Sequence, residues 1–260
     1  RVALVGLSII PATTIGLIDV RSVNRDIFIG QIAARYGLTN RAEVEAKIPY
    51  IYRHDSNLAR PLATPSTADS VFEASGRSLG DIELAARYQL NQGGVNTPYY
   101  VANLRTKTRP GKHPFDAPID PEPNLQRELP TGTGFWGVQP SLTAIFPSDP
   151  AVFFGNVSYL WHIKRNVGDG FGKVDPGDAI GATFGMGLAL NERASFSLGY
   201  EHSTVLRTKQ NGRPLIDTRT TQIGTLTFGG SYRLSNRTML NLTLGVGVTA
   251  EAPDLQATLR

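Results

Sequence analysis

The pattern that organises the chain lies at residues 179–206, AIGATFGMGLALNERASFSLGYEHSTVL. In its first arm Ile180, Ala182, Phe184, Met186, Leu188 and Leu190 share one face, against Gly181, Thr183, Gly185, Gly187 and Ala189. Past Asn191-Glu192-Arg193, the second arm sets Phe196, Leu198 and Tyr200 against Ser195, Ser197, Gly199 and Glu201. Alternation with period two predicts strands with two unlike faces. Each arm has about twelve residues, where a soluble-domain strand typically has about five or six. A strand tilted near 45° crosses bilayer hydrocarbon with about nine to eleven. A long hairpin, apolar outside and small or polar inside, reads as part of a transmembrane β-barrel. A large soluble β-sandwich is the alternative that shares the alternation.

Repetition along the chain favours the barrel. The pattern predicts about twelve strands, within the even series of bacterial barrels. They lie at 2–9, 26–36, 43–53, 80–90, 99–108, 134–146, 152–164, the two arms above, 220–234, 238–251 and from 255 onward. On the second strand Phe28, Ile32, Ala34 and Tyr36 oppose Gln31 and Arg35; on the third Val44, Ala46, Ile48, Tyr50 and Tyr52 oppose Glu45, Lys47 and Arg53. On the eleventh, Leu240, Leu242, Leu244 and Val246 oppose Asn241, Thr243 and Gly245. The connections alternate in length: short at 37–42, 91–97, 147–151, 191–193 and 235–237, long at 10–25, 54–79, 109–133, 165–178 and 207–219. Outer-membrane barrels sort their periplasmic turns and extracellular loops in this way, and a sandwich has no reason to. Three short turns are near copies, YGLTNRAEVE (36–45), LALNERASFS (188–197) and YRLSNRTMLN (232–241). Tyr36, Tyr88, Tyr232 and Phe146 fall at one depth, as an interfacial aromatic girdle requires.

The fold class expected is therefore all-β: one antiparallel up-and-down transmembrane barrel spanning 1–260, in the bacterial outer membrane. Composition agrees. Mean hydropathy is −0.16 with 40% hydrophobic residues, as fits strands that spend alternate residues on a lumen. There are no cysteines, which removes disulfides and thiolate chemistry. The net charge of +4 is scattered singly rather than clustered into a nucleic-acid footprint. Membrane lipid is the partner expected, and nucleic acid is not.

The inward positions divide into two walls. Arg35, Glu45, Lys47, Asp81, Glu83, Arg87, Arg105 and Lys107 make a charged wall with both signs interspersed. Gly181, Gly185, Gly187, Ser195, Ser197, Gly199, Thr225, Thr227, Gly229, Ser231, Gly245 and Gly247 make a smooth one. A cross-strand ion-pair network accounts for the first without any solute, and sheet curvature for the glycines. A bare wall also leaves room for a plug or an exported chain. Catalysis finds no foothold. His202 and Ser203 are adjacent and so point to opposite faces. Neither the four histidines nor Asp169, Asp175 and Asp178 have metal-ligand spacing. No enzyme, metal or cofactor is expected.

The stretches NRDIFIGQIAARYGLTNRAEVEAKIPYIYRHDS (24–56), LGDIELAARYQLNQGG (79–94), GKHPFDAP (111–118) and GVTAEAPDLQATLR (247–260) resemble the outer-membrane secretion pore of the functional-amyloid (Fap) system of pseudomonads. The resemblance implies a trimeric twelve-stranded barrel that exports unfolded amyloid subunits. It also implies an upstream coiled coil and plug helix before Arg1, and further residues completing the last strand after Arg260. The alternative is a passive or substrate-specific channel for small molecules, including aromatic compounds. Such a pore would want a constriction from a folded-in loop, and a hydrophobe transporter an apolar lumen. The lumen reads as polar.

Overall fold

The computed structural model describes residues 2–3, 18–61, 70–94, 97–115, 128–168, 172–215, 218–235 and 238–260. Among them all regular structure is strand. The elements are β1 (Val2–Ala3), β2 (Ile18–Gly37), β3 (Ala42–Pro61), β4 (Ser70–Leu79), β5 (Glu83–Gln89), β6 (Tyr99–Lys107), β7 (Gly137–Pro147), β8 (Ala151–His162), β9 (Arg165–Asn166), β10 (Lys173–Asp175), β11 (Ala179–Ala189), β12 (Ala194–Val205), β13 (Lys209–Gln210), β14 (Arg213–Pro214), β15 (Thr221–Arg233), β16 (Met239–Gly247) and β17 (Leu255–Leu259).

One thirteen-stranded sheet carries the fold, in the order β1-β2-β3-β5-β6-β7-β8-β11-β12-β15-β16-β17, with β4 added beside β3. Each strand on this path pairs antiparallel with its neighbour, an up-and-down meander. Cα atoms of β1 and β17 approach within 8 Å, so the sheet curls round on itself. No ladder joins those two edges among the described residues. Of the first strand expected at 2–9, residues 4–9 lie outside the described residues.

The register follows the alternation. Opposite β11, Gly185 pairs with Gly199 and with Phe154, while Met186 pairs with Leu198 and Phe153. The outer face is a band of exposed apolar side chains. Phe184, Leu198, Phe228, Leu242, Leu244 and Val246 belong to it, each more than a third exposed. From Ile180 to Leu190 the band spans about 33 Å along the strand, or about 25 Å of height at barrel tilt. Tyr36, Tyr88, Phe146 and Tyr232 stand exposed at its turn side. A second set, Tyr52, Trp136, Tyr159 and Trp161, stands exposed at the opposite margin. Two girdles bound one hydrophobic belt.

The repeated turn motif has a mechanism. The amides of Leu38, Leu190 and Leu234 donate to the carbonyls of Ala42, Ala194 and Thr238, at 2.8, 2.9 and 3.0 Å. Inside the loop, Thr39 Oγ1 accepts from the Ala42 amide at 2.9 Å, and Asn191 Oδ1 from the Ala194 amide at 2.8 Å. A short side-chain acceptor at this position closes the turn, which is why Thr, Asn and Ser recur there.

The long loops differ from expectation in three regions. Residues 18–25, 54–61 and 70–79, expected as loop, extend β2, extend β3 and form β4, so β2 and β3 are each 20 residues long. Its first part pairs with β5, and the stretch from Tyr50 to Ala59 pairs with β4. The strand expected at 80–90 begins only at Glu83. Residues 165–178 and 207–219 likewise hold a small four-stranded sheet, β14-β13-β10-β9. A hairpin with water on both faces needs no alternation, and strands of two or three residues are too short to show any.

The faces make a direct test. Leu244→Arg should cost about 2–4 kcal/mol in a folding titration into lipid vesicles, and Thr243→Arg, across the sheet, much less. Equal costs would contradict the assignment of faces.

Candidate functional site

The inner face gathers the charged residues into one continuous network over β2, β3, β5 and β6. Arg35 Nη2 donates to Glu45 Oε1 at 3.3 Å, and its Nε lies 3.6 Å from Glu43. Arg87 bridges Glu43, at 2.5 Å, and Glu45. Lys47 lies 3.9 Å from Glu83, which accepts from Arg105 Nη1 at 2.7 Å. Arg105 continues to Gln139 on β7 at 2.8 Å, and Asn103 Nδ2 donates to Ser141 Oγ at 3.0 Å. Cross-strand register makes these contacts: Arg35 sits opposite Glu45, Glu43 opposite Arg87, and Glu83 opposite both Lys47 and Lys107. Glu43, Gln139 and Asn103 join a wall that charge alternation alone had drawn without them.

Asp81 is the exception among the eight. It lies in the break between β4 and β5 and is 7% exposed. Its Oδ2 accepts from the Thr133 amide at 2.9 Å and the Thr133 hydroxyl at 2.8 Å, with Lys107 at 3.6 Å. Thr133 belongs to the β6–β7 connection, so Asp81 ties that segment to the wall. Further ties run alongside. Thr131 Oγ1 donates to the Leu79 carbonyl at 2.9 Å, and the Leu129 amide to the Ser75 carbonyl at 3.0 Å. The Leu129 backbone lies so close to Gly76, an inward position opposite Arg53, that a side chain there would collide with it. Phe135, 1% exposed, packs edge-on against Phe115 with the Arg165 guanidinium 5.8 Å from its ring. Residues 129–135 of the connection therefore fold back inside the mouth.

The smooth wall is less bare than its composition. Phe154 of β8 points inward and covers it. A Cβ at Gly185 would stand 2.6 Å from Phe154 Cζ, and one at Gly199 3.7 Å from the same atom. Elsewhere hydroxyls fold over the glycines: Ser158 over Gly181, Thr227 over Gly199, and Ser197 over Gly229. Thr225 covers Gly245, and Pro253 closes on Gly247. Gly187 has no side chain against it. Lower down, Ser195 pairs with Ser231, whose hydroxyl bonds Asn241 at 2.7 Å. Towards the mouth the inner face turns apolar, where Ala179, Val205, Ile223 and Ala252 cluster with Leu160. The lumen is thus not uniformly polar, contrary to the sequence expectation. Alternation does not single out Phe154 and Leu160, because β8 carries large residues on both faces and shows little contrast.

Among the described residues no group of side chains could hold a metal ion. His202 points outward to Tyr200 Oη at 3.1 Å and Gln222 Oε1 at 2.8 Å, while Ser203 takes the inner face opposite Gly181. Asp178 accepts from the His162 amide at 3.0 Å and the Tyr159 hydroxyl at 2.5 Å, a loop tie. Asp169 lies outside the described residues.

The family described as "Putative MetA-pathway of phenol degradation" matches residues 121–260, which include β7 to β17. Among solved structures, an outer membrane channel from Pseudomonas putida F1 is similar with a TM-score of 0.64 at 16% identity, over 91% of this chain and 82% of that one. At that identity the likeness is one of fold.

Two substitutions test the walls. Gly185→Leu should displace Phe154 and destabilise the barrel by about 1–3 kcal/mol, the usual cost of overpacking. Arg87→Met strips a cation from Glu45, whose side chain is 4% exposed. It should cost about 1–3 kcal/mol in the same titration, and Glu45→Gln in that background should recover part of the loss.

Proposed function

The chain belongs to the family described as "Putative MetA-pathway of phenol degradation", and from that premise we propose that it is a channel for small molecules, aromatic compounds among them. The chain sits in the outer membrane: its outer face is an apolar belt between two aromatic girdles, and its fold is that of an outer membrane channel. The observation that carries the channel reading is the pinning of residues 129–133 inside the mouth by the Thr133–Asp81 and Thr131–Leu79 hydrogen bonds. An inward-folded segment narrows a pore to the width of small solutes. The apolar cluster of Leu160, Val205 and Ile223 beside it, with Phe154 further in, suits solutes with apolar surface. In this reading the short turns face the periplasm and the mouth faces outward.

Export of unfolded amyloid subunits, from a trimer with an upstream plug, rests on the sequence resemblance alone. It needs a wide path, and the smooth wall that was to provide it carries Phe154 over Gly185 and Gly199. Planar-bilayer recording separates the two. The chain should form channels whose current small aromatic solutes reduce and unfolded fibre subunits leave unaltered. Block by the subunits and not by the solutes would overturn the proposal. Asp81→Ala should raise single-channel conductance by freeing the mouth segment. An unchanged conductance with the barrel folded would mean that the segment does not narrow the path.

A further inference from the structure

Every carboxylate of the charged wall is ion-paired, as is Asp55 to Arg53 and Arg25. Glu201, on the smooth wall, is not. It is exposed to the lumen and has neither an ion pair nor a side-chain hydrogen bond among the described residues. Its flanking neighbours in the register are Thr183 on β11 and Thr225 on β15, with Asn156 one strand beyond Thr183. This row of uncharged hydroxyl and amide groups offers no cation.

The rows on either side are apolar. One step inward, Phe154 lies across Gly185 and Gly199, and Gly199 is two residues from Glu201 on the same face, about 7 Å along the strand. Towards the mouth come Ile223, opposite Ser203, and then Val205 and Leu160. An unpaired acceptor is thus set between an aromatic ring and an aliphatic cluster, at a spacing close to the size of one benzene ring bearing a polar substituent. A carboxylate accepts hydrogen bonds and repels anions. The ring favours stacked or edge-on aromatic partners.

We propose that Glu201, with Phe154 and Thr183, forms a solute-binding step in the lumen for small neutral aromatics that carry an O–H donor. The solute ring packs on Phe154 and its hydroxyl donates to the Glu201 carboxylate. Aromatic carboxylates, which bring a second negative charge and no donor, are disfavoured at the same step. This rests on the channel reading above and names the class of solute that the channel holds.

The test is block of single-channel current in a planar bilayer at neutral pH, with phenol and catechol as probes and benzoate as the contrasting anion. Phenol and catechol should reduce the wild-type current in a concentration-dependent way, and benzoate should not. Glu201→Gln and Phe154→Ala should each raise the half-blocking concentration about tenfold, the usual loss for a hydrogen bond to a charged group or a stacked ring. Glu201→Asp should retain most of the block. In a salt gradient, Glu201→Gln should also shift the reversal potential towards anions. Folding of each variant is checked by circular dichroism. If the chain forms no channel, the reading on which the inference rests fails with it. If it conducts but phenol and catechol block the folded Glu201→Gln and wild-type proteins alike, the channel stands and the binding step is wrong. Equal block by benzoate would likewise overturn the selectivity for donors.

Discussion

Inside a bilayer each backbone amide and carbonyl must find a partner within the protein, because hydrocarbon offers none. This chain meets that constraint with one antiparallel meander that curls until its first and last strands approach. The rest follows from it. A curled sheet has an outside and an inside, and period two sends alternate side chains to each. The outside must be apolar, and here it is an exposed belt that would be a liability in water. The inside is left free to differ from strand to strand, and its chemistry sits there.

The two walls meet this freedom in different ways. On β2 to β6 the long charged side chains satisfy one another across the ladder, in pairs no longer than 3.9 Å, so few free charges remain to face a solute. On β11 to β16 small residues leave space on the inner face, and serine and threonine hydroxyls with one phenylalanine fill it. A self-satisfied charged wall stiffens the barrel. The opposite wall keeps an unpaired acceptor and an aromatic ring. The division also follows the family match, which covers the strands of the second wall.

Where the sequence was legible, contrast between the faces made it so. The arms at 179–206 could be assigned residue by residue because apolar residues alternate with small or polar ones from Ile180 to Leu190 and from Ser195 to Glu201, and the three copied turns carry their closing acceptor in the sequence. Contrast fails in three places. On β8, Val152, Phe153, Phe154 and Val157 are large on both faces, so Phe154 could not be sent inward. In β4 and the far half of β3 no lipid imposes alternation, so strand reads as loop. The fold-back of residues 128–136 depends on Asp81, Ser75 and Leu79, more than fifty residues earlier in each case, and no local pattern encodes such a contact. Alternation and loop parity conveyed the barrel and its membrane, the resemblance to an amyloid secretion pore added the cargo, and the inward loop and Phe154 are what turn the reading towards small solutes.

The central claim is that the small-residue face of β12 lines a water-filled path while its other face meets lipid. The absence of cysteine makes a clean measurement possible. Single cysteines placed in turn from Ser195 to Glu201, in protein reconstituted in lipid vesicles, are exposed to a small charged thiol reagent. The account predicts modification at 195, 197, 199 and 201 and protection at 196, 198 and 200. Uniform protection, or labelling without period two, would contradict it.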